Sequence, residues 1–194
     1  MLEIEADLVK RVDGIRIHTP EDFEGMRKAG RVAASCLDML VPEVKPGVTT
    51  GHLDDLIREF VLDSGAASAT IGYRGYRHAS CISHNHVVCH GIPGDRVLKE
   101  GDIANIDVTV VVDGWHGDTS RMYGVGEVKR RASRLMDLTY QAMMAGIEAV
   151  KPGARVGDIG AAITELAHKN RLSVVEDFCG HGLGQVFHDE PNVD

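Results

Sequence analysis

The chain has 194 residues, 43% of them hydrophobic and 26% charged, a composition for one good globular core and too little length for two ordinary domains. Lys and Arg number 21 against 29 Asp and Glu, and the net charge of −8 argues against nucleic acid or an anionic membrane as the main partner. No apolar run approaches the roughly 18 residues needed to span a bilayer, and the acidic opening Met1–Asp7 resembles neither a secretory leader nor a transit peptide. Cys36, Cys81, Cys89 and Cys179 contain no C-x-x-C spacing, so reduced thiols and a cytoplasmic location are expected.

The first element signal is a helix start at Thr19-Pro20-Glu21-Asp22, where Thr19 can cap, Pro20 suits the first helical position and Asp22 sits three residues on. Phe23, Met26, Ala33, Cys36, Leu37 and Leu40 continue at helical spacing until Pro42. A second helix fits Gly51 to Leu62, with Leu53, Leu56, Ile57 and Phe60 on one face. Residues 66–80 are small and glycine-rich, as in a loop. Strands are expected at Cys81–His90, Asp102–Val112 and Trp115–Val125, then helices at Val128–Val150 and Asp158–Lys169. The apolar patch Leu172–Val175 suggests a last strand. Helix, helix, strands, helix, helix, strand is an α+β order.

An internal repeat is visible: Val44-Lys45-Pro46-Gly47, Gly51, Leu53, Ile57 and Glu59 match Val150-Lys151-Pro152-Gly153, Gly157, Ile159, Ile163 and Glu165, each at an offset of 106. The expectation is a single domain over residues 1–194, with a first half at about 19–125 and a second at about 126–194. Applying the offset to the first half's last strand places its counterpart beyond Asp194. The second half is therefore read as incomplete.

Residues 103–112 alternate as a strand, with Ala104, Ile106, Val108, Val110 and Val112 on one face and Asn105, Asp107 and Thr109 on the other. Asp113-Gly114 is a two-residue hairpin turn, which pairs Val112 with Trp115 and Thr109 with Asp118. Asp107 is then the diagonal neighbour of Asp118, close enough for the two carboxylates to share one or two cations. The alternative is two solvated acids on an exposed face. Oxygen ligands of this kind suit Mn, Fe(II), Co or Zn. His84, His86 and His90 would share a face on one strand, either as surface groups or as a separate metal site. Gly180-His181-Gly182 sets a histidine where other groups can approach the backbone closely.

These stretches resemble the methionine aminopeptidases, most closely the bacterial type I enzymes. The resemblance is carried by Cys81-Ile82-Ser83, Asn85, Val87 to Pro93, Gly101 to Thr109, Asp113 to Arg121, Cys179 to Gly182 and Phe187 to Pro191. It implies the pita-bread fold, two pseudo-symmetric halves around a dinuclear metal centre, with the second half here incomplete. It further implies Asp107, Asp118 and His181 as ligands of two divalent ions. His90 and His188 would orient substrate and stabilise the tetrahedral intermediate, and Tyr73, Tyr76, Cys81 and Phe187 would line a methionine pocket. The implied reaction is removal of the N-terminal methionine from peptides or nascent chains by a metal-bridging hydroxide, with a small second residue preferred. Two glutamate ligands of the family have no counterpart before Asp194, so this chain alone is expected to be weakly active or inactive.

His84 and His86 depart from the family pattern at the pocket rim and not among the ligands, and Thr70 stands where many type I members carry a cysteine. Lys129, Arg130, Arg131 and Arg134 form a solvated helix face or, alternatively, a transient ribosome contact. No nucleic-acid specificity and no membrane association are expected. A non-catalytic binding module on the same fold, and a prolidase or aminopeptidase P relative, are the competing readings.

Overall fold

The computed structural model describes residues 11, 12 and 14–193. The acidic opening Met1–Asp7 lies outside them. Two short strands, β1 (Arg11–Val12) and β2 (Ile15–Arg16), pair antiparallel ahead of helix α1 (Pro20–Met39). That helix starts where its capping box forms: the Thr19 hydroxyl accepts the Asp22 N–H at 3.3 Å, and the Asp22 carboxylate accepts the Thr19 N–H at 3.0 Å. Ala29, Ala33, Cys36 and Leu37 make its buried face. Helix α2 (Thr50–Asp63) is capped by Thr49 and buries Leu53, Ile57 and Val61.

The central sheet is built on a hairpin of β5 (Ile103–Val112) and β6 (Trp115–Gly124). Its turn residues Asp113 and Gly114 both have positive φ, and Val112 pairs with Trp115 and Thr109 with Asp118, the register expected from the turn. Strand β4 (Ser80–His84) pairs with Ala104–Val108, and the two-residue β3 (Ala67–Ser68) with Val110–Val111. Helix α1 lies against β5 and β6 at very short range. A Cβ on Gly117 would fall 2.4 Å from the Ala29 backbone, so only glycine permits that approach. Tyr123 ties the same surfaces, donating its hydroxyl to the Leu37 carbonyl at 2.6 Å.

Helices α3 (Arg130–Ala149) and α4 (Val156–Lys169) repeat the 20- and 14-residue lengths of α1 and α2. They meet where Gly146 sits against Ile159 and Ile163. Strands β7 (Gly180–Gly182) and β8 (Asp189–Val193) pair antiparallel, with an irregularity after His181. Among the described residues, the buried members of the main core run from Ala29 to Val125. From α3 and α4, Leu138, Ala142, Gly146 and Ala167 are buried, while Tyr140, Met143, Ile147 and the α3 C-cap Val150 stay exposed.

Three expectations are corrected. Residues 66–80 are not all loop, since β3 and a 3-10 turn at Tyr73–Gly75 lie within them. The strand expected at Cys81–His90 ends at His84, because Asn85 takes a left-handed φ of 51° and the Val87 N–H turns back to the His84 carbonyl at 3.1 Å. Leu172–Val175 forms no strand; nothing in the described residues pairs with it.

Candidate metal centre and substrate pocket

The hairpin sets two carboxylates on one face. Asp118 stands opposite Thr109, whose hydroxyl donates to Asp118 Oδ1 at 2.9 Å. Asp107 is the diagonal neighbour and lies opposite Cys81 on β4. Burial foremost, and then the Asp118 charge, push the Asp107 carboxyl up to about 7, with the His181 imidazole pulling the other way.

His181 is brought in by β7. Its Nδ1 lies 2.9 Å from the Gly182 carbonyl, which can only accept, so Nδ1 carries a proton. In the neutral ring Nε2 then holds a lone pair, 3.6 Å from Asp118 Oδ2. A ring nitrogen and a carboxylate oxygen facing each other, beside the buried Asp107 carboxyl, are donor types that fit a divalent cation. No group of three or more His, Cys, Asp or Glu side chains among the described residues forms a ready-made cage. The preformed part is the Asp118–His181 pair.

Around it lies a connected set of rings. His188 is 4.3 Å from His181 between centroids, Phe187 stacks on His188 at 4.2 Å, and Tyr73 reaches Phe187 at 5.0 Å and His188 at 5.3 Å. Burial first, then His181, lowers the His188 pKa, which favours its neutral form. Tyr76 and Cys81 make a wall beside Asp107, which Cys81 opposes across the sheet. The Cys81 thiol lies 3.6 Å from the Tyr76 hydroxyl, which itself donates to the Ser80 carbonyl at 2.8 Å. Burial raises the pKa of both groups, so the wall is uncharged.

His90 is the outlier. It sits in the loop after β4 at a φ of 53° and packs edge-on to Phe178 at 5.7 Å, not within the stack. The loop is fixed by Gly91, whose carbonyl accepts the Ile82 N–H at 2.8 Å and whose N–H donates to Ser83 Oγ at 3.1 Å. A Cβ at Gly91 would meet the Ile82 carbonyl at 2.2 Å. A shared strand face for His84, His86 and His90 is therefore overturned, and His84 Nε2 already accepts from Arg96 Nε at 2.8 Å. All four cysteines are free, with Cys36 buried.

Sequence reasoning missed Asp54, a carboxylate only 2% exposed on α2. It accepts from Ser80 Oγ at 2.7 Å and lies 3.3 Å from His78 Nδ1. It anchors the segment that carries Tyr76 and Cys81. An acid inside an otherwise amphipathic helix was its only signal.

The model of metallopeptidase family M24 matches residues 24–194. The chain belongs to metallopeptidase family M24. Its relatives within the family include the methionine aminopeptidase of Rickettsia prowazekii, 55% identical over 92% of this chain and 69% of that protein. That of Escherichia coli K12 is 50% identical over the same shares. The crystal structure of the Rickettsia enzyme superposes with a TM-score of 0.91, covering 92% of this chain and 72% of that one. Prolidase from Pyrococcus furiosus, at 20% identity and a TM-score of 0.78, shares the fold. The M24 fold here is thus the pita-bread arrangement of mixed helix and sheet, present over part of the relatives' length.

Proposed function

We propose that the chain carries the metal-dependent removal of an N-terminal methionine from peptides or nascent chains, with a small second residue preferred. The observation that carries this reading is the Asp118–His181 pair facing across 3.6 Å beside the raised carboxyl of Asp107. In it Asp107, Asp118 and His181 hold two divalent ions (Co, Mn, Fe(II) or Zn), and residues 1–194 form one metallopeptidase domain. Bound divalent ions supply Lewis acidity and a lowered water pKa.

The protein's own residues do the rest. Thr109 holds Asp118 in one rotamer. His188, kept neutral, can donate to a developing oxyanion from one ring nitrogen, and His90, held against Phe178, is the second histidine the resemblance assigns to substrate orientation. Tyr73, Tyr76, Cys81 and Phe187 offer aromatic faces and a sulfur to a thioether side chain. Cytoplasmic location and a transient ribosome contact belong to the same reading. Lys129, Arg131, Arg134, Lys169 and Arg171 line a cleft of about 770 Å³ that would meet such a partner.

The test uses the purified 194-residue chain. Calorimetry should show Zn²⁺ or Mn²⁺ binding that Asp118→Asn abolishes, and hydrolysis of a Met-Ala peptide should be very weak for want of further carboxylate ligands. Absence of metal binding would sink the site, and turnover at the rate of the longer relatives would sink the expected impairment.

A further inference from the structure

Phe187 and His188 sit in the connection between β7 and β8, outside the main core. Something must hold their rings in place. We propose that His116 is a positioning residue for this wall, orienting Phe187 and, through it, His188. Its functional meaning rests on the methionine-pocket reading, but its geometry does not.

His116 is the second residue of β6, two before Asp118 and on the same face of the strand. Its backbone N–H donates to the Gly184 carbonyl at 2.8 Å, and its ring Nδ1 lies 3.0 Å from the same oxygen. Because a carbonyl only accepts, Nδ1 must be protonated, and this second bond sets the plane of the ring. The ring then lies nearly parallel to Phe187, with centroids 5.7 Å apart and an interplanar angle of 19°. On its other sides Phe187 meets Tyr73, His181 and His188, all of them members of the proposed site. His116 is thus the ring in the described residues that supports Phe187 from outside it.

The same connection is tethered a second time. Arg16 donates to Gln185 Oε1 at 2.7 Å, and Gly184 approaches so closely that a Cβ there would lie 3.1 Å from His18. Those contacts hold the connection near the sheet without touching Phe187. His116 is what converts a tethered loop into an oriented ring.

Histidine ring Cε1–H resonances provide the test, in the wild-type chain and in His116→Ala, His116→Asn and His116→Phe. Asn keeps a donor for Gly184 and removes the ring face, so it guards against a variant that merely loosens the loop. Phe keeps a flat ring and loses the donor. Loss of the ring face in Ala and Asn should move the His188 and His181 resonances by displacing Phe187. Phe should restore them in large part, while His52 and His78 stay unmoved in all three. Unmoved His188 and His181 signals in Ala or Asn would overturn the proposal. So would Phe behaving like Ala.

A parallel titration with L-methionine, in protein loaded with diamagnetic Zn²⁺, separates the two readings. If L-methionine leaves His188 unshifted in wild type, the pocket reading fails and the His116 result still stands. If it shifts His188, His116→Ala should weaken its apparent affinity by about two- to tenfold, the worth of one aromatic contact. An unchanged affinity would count against His116 as a positioning residue.

Discussion

At the scale of single residues, Asp107 combines burial with a like charge beside it. Burial and the neighbouring Asp118 hold its pKa at about 7, above the ordinary carboxylate value of 3.8. A carboxyl whose pKa is higher in the folded state than in the unfolded chain stabilises the fold at low pH. That contribution is full below the unfolded pKa and is lost as pH rises through about 7. In chelator-treated protein, Asp107→Asn should therefore exceed the wild-type melting temperature by more at pH 7.5 than at pH 4.5. A constant difference across that range would contradict the assignment. The diagonal placing of Asp107 and Asp118 was legible from the sequence, because a two-residue turn determines the pairing. The raised pKa was not, since it depends on what the tertiary structure stacks over the hairpin.

At the scale of elements, close approaches decide more than propensities. Gly117 lets α1 lie on β6 with no side chain between. Gly117→Ala should cost about 1–3 kcal/mol as the helix is levered off the hairpin, visible as a lower urea midpoint. Asp54 ties α2 to the start of β4 through Ser80 and His78. Removing it leaves a buried hydroxyl without an acceptor, and Asp54→Ala should lower unfolding free energy by about 2–4 kcal/mol in denaturant titration.

The helices were readable in the sequence because Thr19, Pro20 and Asp22 mark a start with local chemistry alone. The end of β4 was not, because Asn85 is held by contacts from far along the chain. Its side chain donates to Asp102 and accepts from the Ile103 N–H. Leu172–Val175 has strand-like composition, but a strand exists only where another chain segment offers its hydrogen bonds.

At the scale of the whole molecule, the two helix pairs have unequal surroundings. Helices α1 and α2 share one core with the hairpin. Along α3 and its C-cap, Tyr140 is 62%, Ile147 55% and Val150 66% exposed. Such a face favours association. Sedimentation velocity of the 194-residue chain should show concentration-dependent self-association, reduced by Met143→Lys combined with Ile147→Lys. A strictly monomeric chain at high concentration would refute this.

The sequence by itself determined the helices and the hairpin register, because each follows from local spacing or turn chemistry, and its family resemblance supplied the expected metal donors. Only the tertiary structure decided which of those donors meet. His181 reaches Asp118 across a sequence separation that no periodicity encodes, and His90 leaves the strand it was expected to share. Length and composition suggested one good core. The fold places that core almost wholly before Val125, because apolar residues of α3 and α4 are buried only where another element covers them.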